Sequence, residues 1–353
     1  MKVRSRPEPR TWTPPPVGQK NGRFGGLPLT PRAARVVVIP VPWEVTVSNR
    51  SGTADGPRAI LAASPLMDFF DPRIPRVWEL APAYLAWPRR LERMGERLRK
   101  QARRYLDWLE HGQPRRQAAG MARRLAAINR GCAQMVRWVE RTAECWLGRG
   151  KLVGVVGGDH STPLGLIRAL ARRESAFGVL HLDAHMDLRP AYEGFVHSHG
   201  SIMHNVLGEQ TVTRLVQVGI RDFCEEEATL ARRSRGRVVV FGGREIHREL
   251  AEGRTWRRIV GRIVSALPRN VYVSFDVDVL EPWLCPGTGT AVPGGLDFEQ
   301  VFLLLEELVG SGRRIVGFDL TEVAPGPHGW DGAVGARALF RLSVLAALSA
   351  GRR

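Results

Sequence analysis

The chain has 353 residues, of which 44% are hydrophobic, and its formal net charge is +17. That hydrophobic fraction is enough for a buried core, which excludes an intrinsically disordered chain. The four cysteines are far apart and form no Cys-x-x-Cys pair, which argues against a disulfide framework or a structural zinc site.

No run of apolar residues is long enough for a membrane-spanning helix, which needs about eighteen or more. The chain begins Met-Lys-Val-Arg-Ser-Arg and continues with prolines, so it lacks the apolar core of a secretory signal. We therefore expect a cytoplasmic protein without a membrane partner.

Much of the positive charge lies in two segments, residues 1–35 and residues 89–130. In the second segment arginines alternate with apolar residues at helical spacing. Charge alone supports only non-specific attraction to phosphates, and we find neither a helix-turn-helix nor an aromatic stacking motif. We expect a solvated basic face and no specific nucleic-acid binding. An inactive protein that binds nucleic acid through this surface is the non-enzyme alternative.

Residues 1–34 are basic, rich in proline and glycine, and without periodicity, which predicts an extended N-terminal arm. The β-branched run that begins at Arg35 predicts the first buried strand. From there we expect a single domain over residues 35–353. Two helices with one apolar face each are predicted next, over residues 91–108 and 121–139.

From Lys151 onward, short apolar runs alternate with longer amphipathic segments. Fully apolar strands that alternate with helices are typical of a parallel sheet covered on both faces. We predict an α/β protein with a three-layer α/β/α sandwich on a mostly parallel sheet. The strands of this part are predicted at residues 152–156, 178–182, 215–219, 238–241, 271–275 and 315–318.

Four of these strands run directly into segments rich in aspartate and histidine. The segments are Gly157-Gly-Asp-His-Ser161, Asp183-Ala-His-Met-Asp187, Asp276-Val-Asp278 and Asp319-Leu-Thr-Glu322. The carboxyl ends of parallel strands meet at one edge of the sheet, where ligands bind. So many carboxylates would repel one another unless cations neutralise them. A donor set with many oxygens, some imidazole and no thiolate favours manganese.

Three of the segments resemble the signatures of the arginase/agmatinase (ureohydrolase) family. They read Gly-Gly-Asp-His-Ser at 157–161, His-Leu-Asp-Ala-His-Met-Asp at 181–187 and Ser-Phe-Asp-Val-Asp at 274–278. The resemblance covers roughly residues 35–350 and implies the arginase-like fold with two Mn²⁺ ions per chain. It implies that one ion is held by His160, Asp183, Asp187 and Asp276, and the other by Asp183, His185, Asp276 and Asp278, with Asp183 and Asp276 bridging.

The resemblance also implies the reaction, in which a metal-activated water hydrolyses a guanidinium group and urea is released. Glu322 is similar to the carboxylate that binds and orients the guanidinium. Asp187 would steady the tetrahedral intermediate while it ligates metal. His199, which precedes a glycine, is similar to the histidine that gives the leaving amine its proton. His197 is the alternative proton donor.

The loop over residues 188–199 lacks the polar residues with which arginases hold the α-carboxylate and α-amino groups of arginine. Agmatine, with putrescine and urea as products, is therefore the expected substrate. Glu225 and the two glutamates after it could form a negative rim for the amine tail or a solvated first turn of a helix. Arg189 or Arg221 could instead hold a carboxylate, as in 4-guanidinobutanoate or 3-guanidinopropanoate. Guanidine, arginine and formimidoylglutamate are further alternatives, and the resemblance implies a homo-oligomer, either a trimer or a hexamer.

Overall fold

The computed structural model describes residues 13–14, 18–326 and 328–351. Its strands are β1 (Val36–Val41), β2 (Ala83–Tyr84), β3 (Leu152–Gly157), β4 (Phe177–Leu182), β5 (Val212–Ile220), β6 (Val238–Gly242), β7 (Asn270–Asp276) and β8 (Arg314–Thr321). They form an eight-stranded sheet in the order β2-β1-β3-β8-β7-β4-β5-β6. Each pair of neighbouring strands is parallel.

The helices are α1 (Gly56–Ala63), α2 (Arg89–Glu110), α3 (Ala118–Leu147), α4 (Leu164–Ala171), α5 (Ile202–Leu207), α6 (Glu225–Arg233), α7 (Gly243–Ala251), α8 (Trp256–Ser265), α9 (Phe298–Gly310) and α10 (Trp330–Gly351). Helices α1 and α7 to α10 contribute side chains to the hydrophobic core on one face of the sheet. Helices α2 to α5 contribute to the core on the other face. The predicted three-layer α/β/α sandwich is therefore confirmed.

Strand β8 is longer than the apolar pattern predicts. The prediction ended it at Phe318, but the strand continues to Thr321, so Asp319 lies inside it. The buried Asp319 carboxylate accepts hydrogen bonds from the Ser274 hydroxyl and the Phe275 amide. A buried polar group with partners of this kind is tolerated inside a sheet, and hydrophobicity alone does not reveal such a pairing.

The prediction that ordered structure begins at Arg35 is wrong for part of the N-terminal segment. Phe24, Leu27 and Leu29 are buried in the core, and the Phe24 ring stacks on the Tyr84 ring with centroids 6.2 Å apart. Single apolar residues among glycines and prolines have no helical or strand period, so the sequence pattern did not reveal this packing. Residues 1–12 and 15–17 of the predicted arm lie outside the described residues.

Helix α10 has 22 residues and is apolar enough to cross a membrane by length and composition. However, 67% of its most apolar window is buried inside the fold. Its buried side chains belong to the core shared with α9 and the sheet, so its apolar character is that of a core helix.

Replacing Phe24 with alanine should lower the free energy of unfolding by about 3–5 kcal/mol, because a buried aromatic side chain leaves a cavity. Urea denaturation followed by far-ultraviolet circular dichroism measures the change. Phe70→Ala is the matched control, since the Phe70 side chain is 76% exposed and should cost less than about 0.5 kcal/mol. Equal destabilisation by the two substitutions would contradict the packing of this segment.

Candidate active site

The carboxyl ends of four adjacent strands, β3, β8, β7 and β4, form the centre of one sheet edge. All the predicted metal ligands gather there. The ligands at the ends of β3, β4 and β7 lie within ion-pair distance of one another. The structure thus brings together residues that the sequence separates by more than a hundred positions.

The first group of ligands is centred on His160. Its Nδ1 atom lies 2.9 Å from Asp183 Oδ2, 3.2 Å from Asp187 Oδ2 and 3.2 Å from Asp276 Oδ2. All four side chains are buried. One nitrogen and three carboxylate oxygens that converge in this way are a suitable donor set for a divalent cation.

The second group is centred on His185. Its Nδ1 atom lies 3.0 Å from Asp278 Oδ2 and 3.4 Å from Asp183 Oδ1. The two oxygens of Asp183 therefore face two different histidines, as a bridging carboxylate requires. Asp276 directs Oδ2 to His160, while its Oδ1 accepts the Asp278 amide at 2.9 Å. Bridging by Asp276 stays a prediction.

A hydrogen-bond relay fixes the orientation of His160. The Ser274 hydroxyl donates its single proton to Asp319 Oδ2 at 2.9 Å, so it accepts the bond from His160 Nε2, also at 2.9 Å. The Nε2 atom of His160 therefore carries a hydrogen, and Nδ1 is the nitrogen that faces the carboxylates. An outer partner of this type is the usual way in which a protein orients a ligating histidine.

His181 orients Asp183 in a similar way. The Gln217 side-chain amide donates to His181 Nδ1 at 2.9 Å, and His181 Nε2 lies 2.7 Å from Asp183 Oδ2. Although His181 lies within metal-ligand distance of the His160 group, both of its ring nitrogens are already engaged. We assign it to the support of Asp183 rather than to a metal.

The sequence analysis assigned no supporting role to four residues, namely Gln217, His181, Ser274 and Asp319. They occupy one level of the sheet, because the strand register pairs His181 with both Gln217 and Ser274, and Ser274 with Asp319. The available signal was a polar residue in the middle of each apolar strand. Such residues next to a cluster of ligands point to a buried hydrogen-bond network.

The cluster has an excess of negative charge. Burial and the charge of Asp183 raise the pKa of Asp187 to about 6. Burial, then Asp278 and Asp183, raise the pKa of Asp276 well above its usual value. Burial also opposes ionisation of Asp183, but the neighbouring histidines hold its pKa well below the usual range. Cations bound between these groups would remove the repulsion, so the residues present fit a pair of divalent metals.

A cavity of about 200 Å³ opens beside the cluster, and His185, Asp187 and His199 form part of its wall. His199 packs edge-on against Tyr192 with ring centroids 5.5 Å apart, and its buried Nδ1 has no hydrogen-bond partner among the described residues. Burial, followed by the charges of His185 and His160, lowers the pKa of His199 to about 4. His197 does not line this cavity, so the geometry favours His199.

Glu322 follows β8 at the same edge, with backbone φ of 61° in the left-handed region. Its Oε1 atom accepts the His160 amide at 2.8 Å, while none of the described residues donates to Oε2. The side chain is 8% exposed. Burial, then the charges of Asp276 and Asp159, raise its pKa well above the usual value. One carboxylate oxygen of Glu322 therefore has no donor among the described residues, although Glu322 is not part of the cavity wall described above.

The cavity wall also includes Arg189, Glu227 and Asp222. Arg189 Nε lies 3.5 Å from Glu227 Oε2, and the guanidinium lies over the Tyr192 ring, 4.7 Å from its centroid. The Asp222 side chain is 64% exposed, and its Oδ2 atom lies 3.9 Å from Nε2 of His185. Asp222 is the exposed carboxylate of this wall, since Glu227 is buried and faces Arg189.

Glu225 is not part of this cavity wall, since Glu225 and Glu226 line a separate surface depression. Glu227 occupies the cavity side of the first turn of α6 because its carboxylate is held there by two backbone amides. Oε1 accepts the Leu188 amide and Oε2 accepts the Cys224 amide, each at 3.0 Å. Residues one and two positions earlier on a helix then face in other directions.

Arg221 does not reach the cavity either. Its guanidinium donates to backbone carbonyls, at 2.7 Å to Asp278, 2.8 Å to Val292 and 3.0 Å to Gly219. It therefore supports the loop that carries Asp278 and offers no free fork to a substrate carboxylate.

Another part of the cavity wall includes Ser48 and Asn49. Arg99 and Glu44, which the sequence analysis did not single out, hold the loop that carries these two residues. The buried Arg99 of α2 donates to the Val47 carbonyl and, at 3.0 Å, to the Ser51 hydroxyl. At the start of the same loop, Glu44 Oε2 accepts the Gly52 amide at 2.6 Å.

Comparison with known proteins agrees with this geometry. The arginase family model matches residues 34–342. The N(1)-aminopropylagmatine ureohydrolase of Thermus thermophilus is 34% identical over 302 residues, or 86% of this chain and 87% of that protein. The guanidinopropionase of Pseudomonas aeruginosa is 33% identical over 349 residues, or 94% and 95% of the two chains. The solved structure of proclavaminate amidinohydrolase from Streptomyces clavuligerus has a TM-score of 0.71 at 25% identity, over 95% of this chain and all of that one.

A parallel α/β/α sandwich whose strand ends carry paired histidine–aspartate groups able to hold metal agrees with the class of metal-dependent hydrolases. The chain belongs to the arginase family. It is an amidinohydrolase of the ureohydrolase type.

Replacing Ser274 with alanine should weaken Mn²⁺ binding by about 10- to 100-fold, because His160 loses the partner that fixes its ring. Isothermal titration of metal-free protein measures the affinity. Ser274→Thr keeps the hydroxyl and should restore most of the binding. Ser265→Ala, on the exposed side of α8, should leave it unchanged, and unaltered affinity in Ser274→Ala would refute the relay.

Proposed function

We propose that this protein is a manganese-dependent ureohydrolase that releases urea from agmatine or from agmatine extended at its amine end. The observation that carries the proposal is the pair of histidine–aspartate groups that share Asp183, with a cavity beside them whose wall includes the exposed carboxylate of Asp222. The site residues predicted at the strand ends keep their proposed roles, since they lie together at this edge.

The reaction needs a nucleophile, a held substrate and a proton for the leaving amine. Two Mn²⁺ ions on the six ligands would supply the Lewis acidity that makes water nucleophilic at neutral pH. The free Oε2 of Glu322 is suited to accept guanidinium N–H bonds and so fix the position of the carbon. Asp187 would accept a hydrogen bond from the group that forms at that carbon. His199, with a buried unpaired ring nitrogen in the cavity wall, would pass a proton to the departing amine.

The charges of the cavity wall support a substrate with a cationic tail. Asp222 offers an exposed carboxylate in the cavity wall, with His185 Nε2 at 3.9 Å as its nearest charged partner among the described residues. The positive charge of Arg189 is balanced by the negative charge of Glu227. The name of the Thermus relative agrees, because N(1)-aminopropylagmatine is an agmatine with an additional amine.

A guanidino acid such as 3-guanidinopropanoate is the second candidate substrate. Arg189 supports it, because this side chain lies in the cavity wall and remains 41% exposed. The name of the Pseudomonas relative, guanidinopropionase, agrees with this alternative.

Three further parts of the proposal rest on the family resemblance. They are manganese as the metal with two ions per chain, assembly into a trimer or hexamer, and a cytoplasmic location. Metal analysis by mass spectrometry and light scattering of the purified protein test the first two.

The experiment that tests the function is urea release by Mn²⁺-loaded protein from a panel of guanidino compounds. The panel contains agmatine, N(1)-aminopropylagmatine, arginine, 3-guanidinopropanoate, 4-guanidinobutanoate and guanidine. We expect the two amine-tailed compounds to have the highest kcat/KM, because the exposed carboxylate of Asp222 can attract their tails. Preference for the guanidino acids would support the second candidate, and no urea from any compound would contradict the proposed function.

Asp222→Asn is the matched variant for this panel. It should raise KM for the amine-tailed compounds by about tenfold, as expected for the loss of one charge-assisted contact of about 1.5 kcal/mol. Turnover of tail-less guanidine, if present, should not change. Equal KM values for agmatine in the two proteins would remove Asp222 from the substrate site.

His199→Asn should lower kcat by about 10²- to 10⁴-fold, the usual contribution of general acid–base catalysis. The steady-state rate of urea release measures the loss, and KM should change much less. His197→Asn is the control, since His197 lies outside the cavity wall. A larger loss of kcat in the control would reverse the assignment.

A further inference from the structure

The outer face of the α2–α3 hairpin carries a surface that hydrolysis does not use. We call it the basic ridge. All of its side chains are exposed. It consists of Arg90, Arg93, Arg97, Lys100 and Arg104 on α2, and Arg123, Arg130, Arg137 and Arg141 on α3.

On α2, the ridge residues recur every three or four positions, so they lie on one side of the helix. The residues buried on the opposite side include Leu91, Ala102 and Leu106. The ridge of α2 therefore points directly away from the core. The exposed Glu96 and Asp107 lie three or four positions from ridge residues and therefore beside the ridge, where they reduce its net charge.

Two contacts set the register of the hairpin. Arg124 of α3 donates to the Gln101 side chain of α2. Further along, Leu98 lies so close to Gly131 that a Cβ atom on this glycine would fall 2.3 Å from Leu98 Cδ1. The helices are therefore antiparallel, with position 98 beside position 131.

Arg97 and Arg130 each lie one position before this contact. In an antiparallel pair they face the same side at nearly the same level, and both are exposed. Steps of seven residues in opposite directions along the two helices reach two more such pairs. The three level pairs are Arg97 with Arg130, Arg90 with Arg137, and Arg104 with Arg123. Consecutive pairs are about 10.5 Å apart, so the ladder is about 21 Å long.

The ridge side chains form no ion pairs with carboxylates of the described residues. Among the described residues, no carboxylate oxygen lies within 4.0 Å of a ridge nitrogen. Many exposed arginines elsewhere do have carboxylate partners, such as Arg172, Arg262 and Arg314. Like charges at this spacing on a helix destabilise it by a few tenths of a kcal/mol per pair, so the ridge does not serve the stability of the hairpin.

We propose that the basic ridge binds the phosphate backbone of duplex nucleic acid without reading its sequence. A duplex about 21 Å long carries about 12 phosphates, which is comparable to the number of ridge charges. Eight of the nine ridge residues are arginines, whose planar fork binds phosphate with two hydrogen bonds. Backbone contacts alone position a protein without specificity.

The composition of the ridge argues against a lipid surface. A helix that lies on a membrane inserts large apolar side chains beside its basic ones. Of the exposed large hydrophobic residues in the described part of the chain, none is on α2 or α3. The ridge is therefore purely polar and charged on its outer side.

The test compares two triple variants of the full chain that lose the same net charge. Arg97→Gln, Arg104→Gln and Arg130→Gln remove the central pair of the ridge and one arginine of an end pair. Arg233→Gln, Arg244→Gln and Arg257→Gln remove three exposed arginines on α6, α7 and α8. Fluorescence anisotropy with labelled mixed-sequence RNA and DNA duplexes of about 24 base pairs is measured between about 50 and 200 mM salt, the range over which phosphate contacts lose most affinity.

We expect the wild type to bind with an affinity that falls steeply as salt rises. The ridge variant should bind at least tenfold more weakly at low salt, and its logarithmic salt slope should be smaller by about 2–3 because three phosphate contacts are lost. The control variant should keep most of the wild-type slope. Absence of wild-type binding at the lowest salt, or equal losses in the two variants, would overturn the proposal.

Two further measurements complete the test. The triple variant Arg97→Lys, Arg104→Lys and Arg130→Lys keeps the positive charge of the ridge and should retain most of the salt-dependent binding. Sedimentation with vesicles of one part phosphatidylserine to three parts phosphatidylcholine tests the lipid alternative, and ridge-dependent binding to vesicles but not to duplexes would refute the proposal. Urea release and circular dichroism should be unchanged in all variants, because no ridge residue lies in the active-site cavity.

Discussion

Repulsion between buried carboxylates at one edge of the sheet is the constraint on which the rest of this structure depends. Asp183, Asp187, Asp276 and Asp278 are nearly inaccessible to solvent, and water cannot screen their charges. Two histidines supply nitrogen atoms between them, but imidazole alone does not balance four carboxylates. The fold therefore presents a site that is complete only with cations, and its backbone must hold the donors in place whether or not the ions are bound.

The level of polar residues just below the ligands provides that support. Ser274 and Asp319 fix the ring of His160, and His181 with Gln217 fixes the carboxylate of Asp183. Parallel strands make this arrangement possible, because residues in register on neighbouring strands face the same side of the sheet. The same strands are otherwise apolar. A few satisfied polar groups in the core thus hold the first layer of donors without weakening the sheet.

The layers, seven of the eight strands and the residues at the strand ends could be predicted, because each depends on a local pattern. Apolar runs such as Val271–Phe275 mark strands by hydrophobicity, and the acidic segments that follow them mark the edge. The N-terminal packing of Phe24 and the position of Glu225 could not, since both depend on contacts between distant segments. The same holds for Arg99, whose helix looks merely basic and amphipathic, although this one arginine is buried under the loop that carries Ser48. Side-chain direction in loops and first turns is decided by tertiary packing rather than by sequence period.

The parallel sheet also determines when the site can exist during folding. Glu322 meets the His160 amide across 162 positions of sequence, and Asp278 meets the Ala184 amide across 94. Contacts of such long range form slowly, because the chain must close large loops before they stabilise it. An ion that binds only this assembled edge shifts the folding equilibrium towards the native state by mass action. The supply of metal would then determine how much folded protein accumulates, as well as how fast each molecule works.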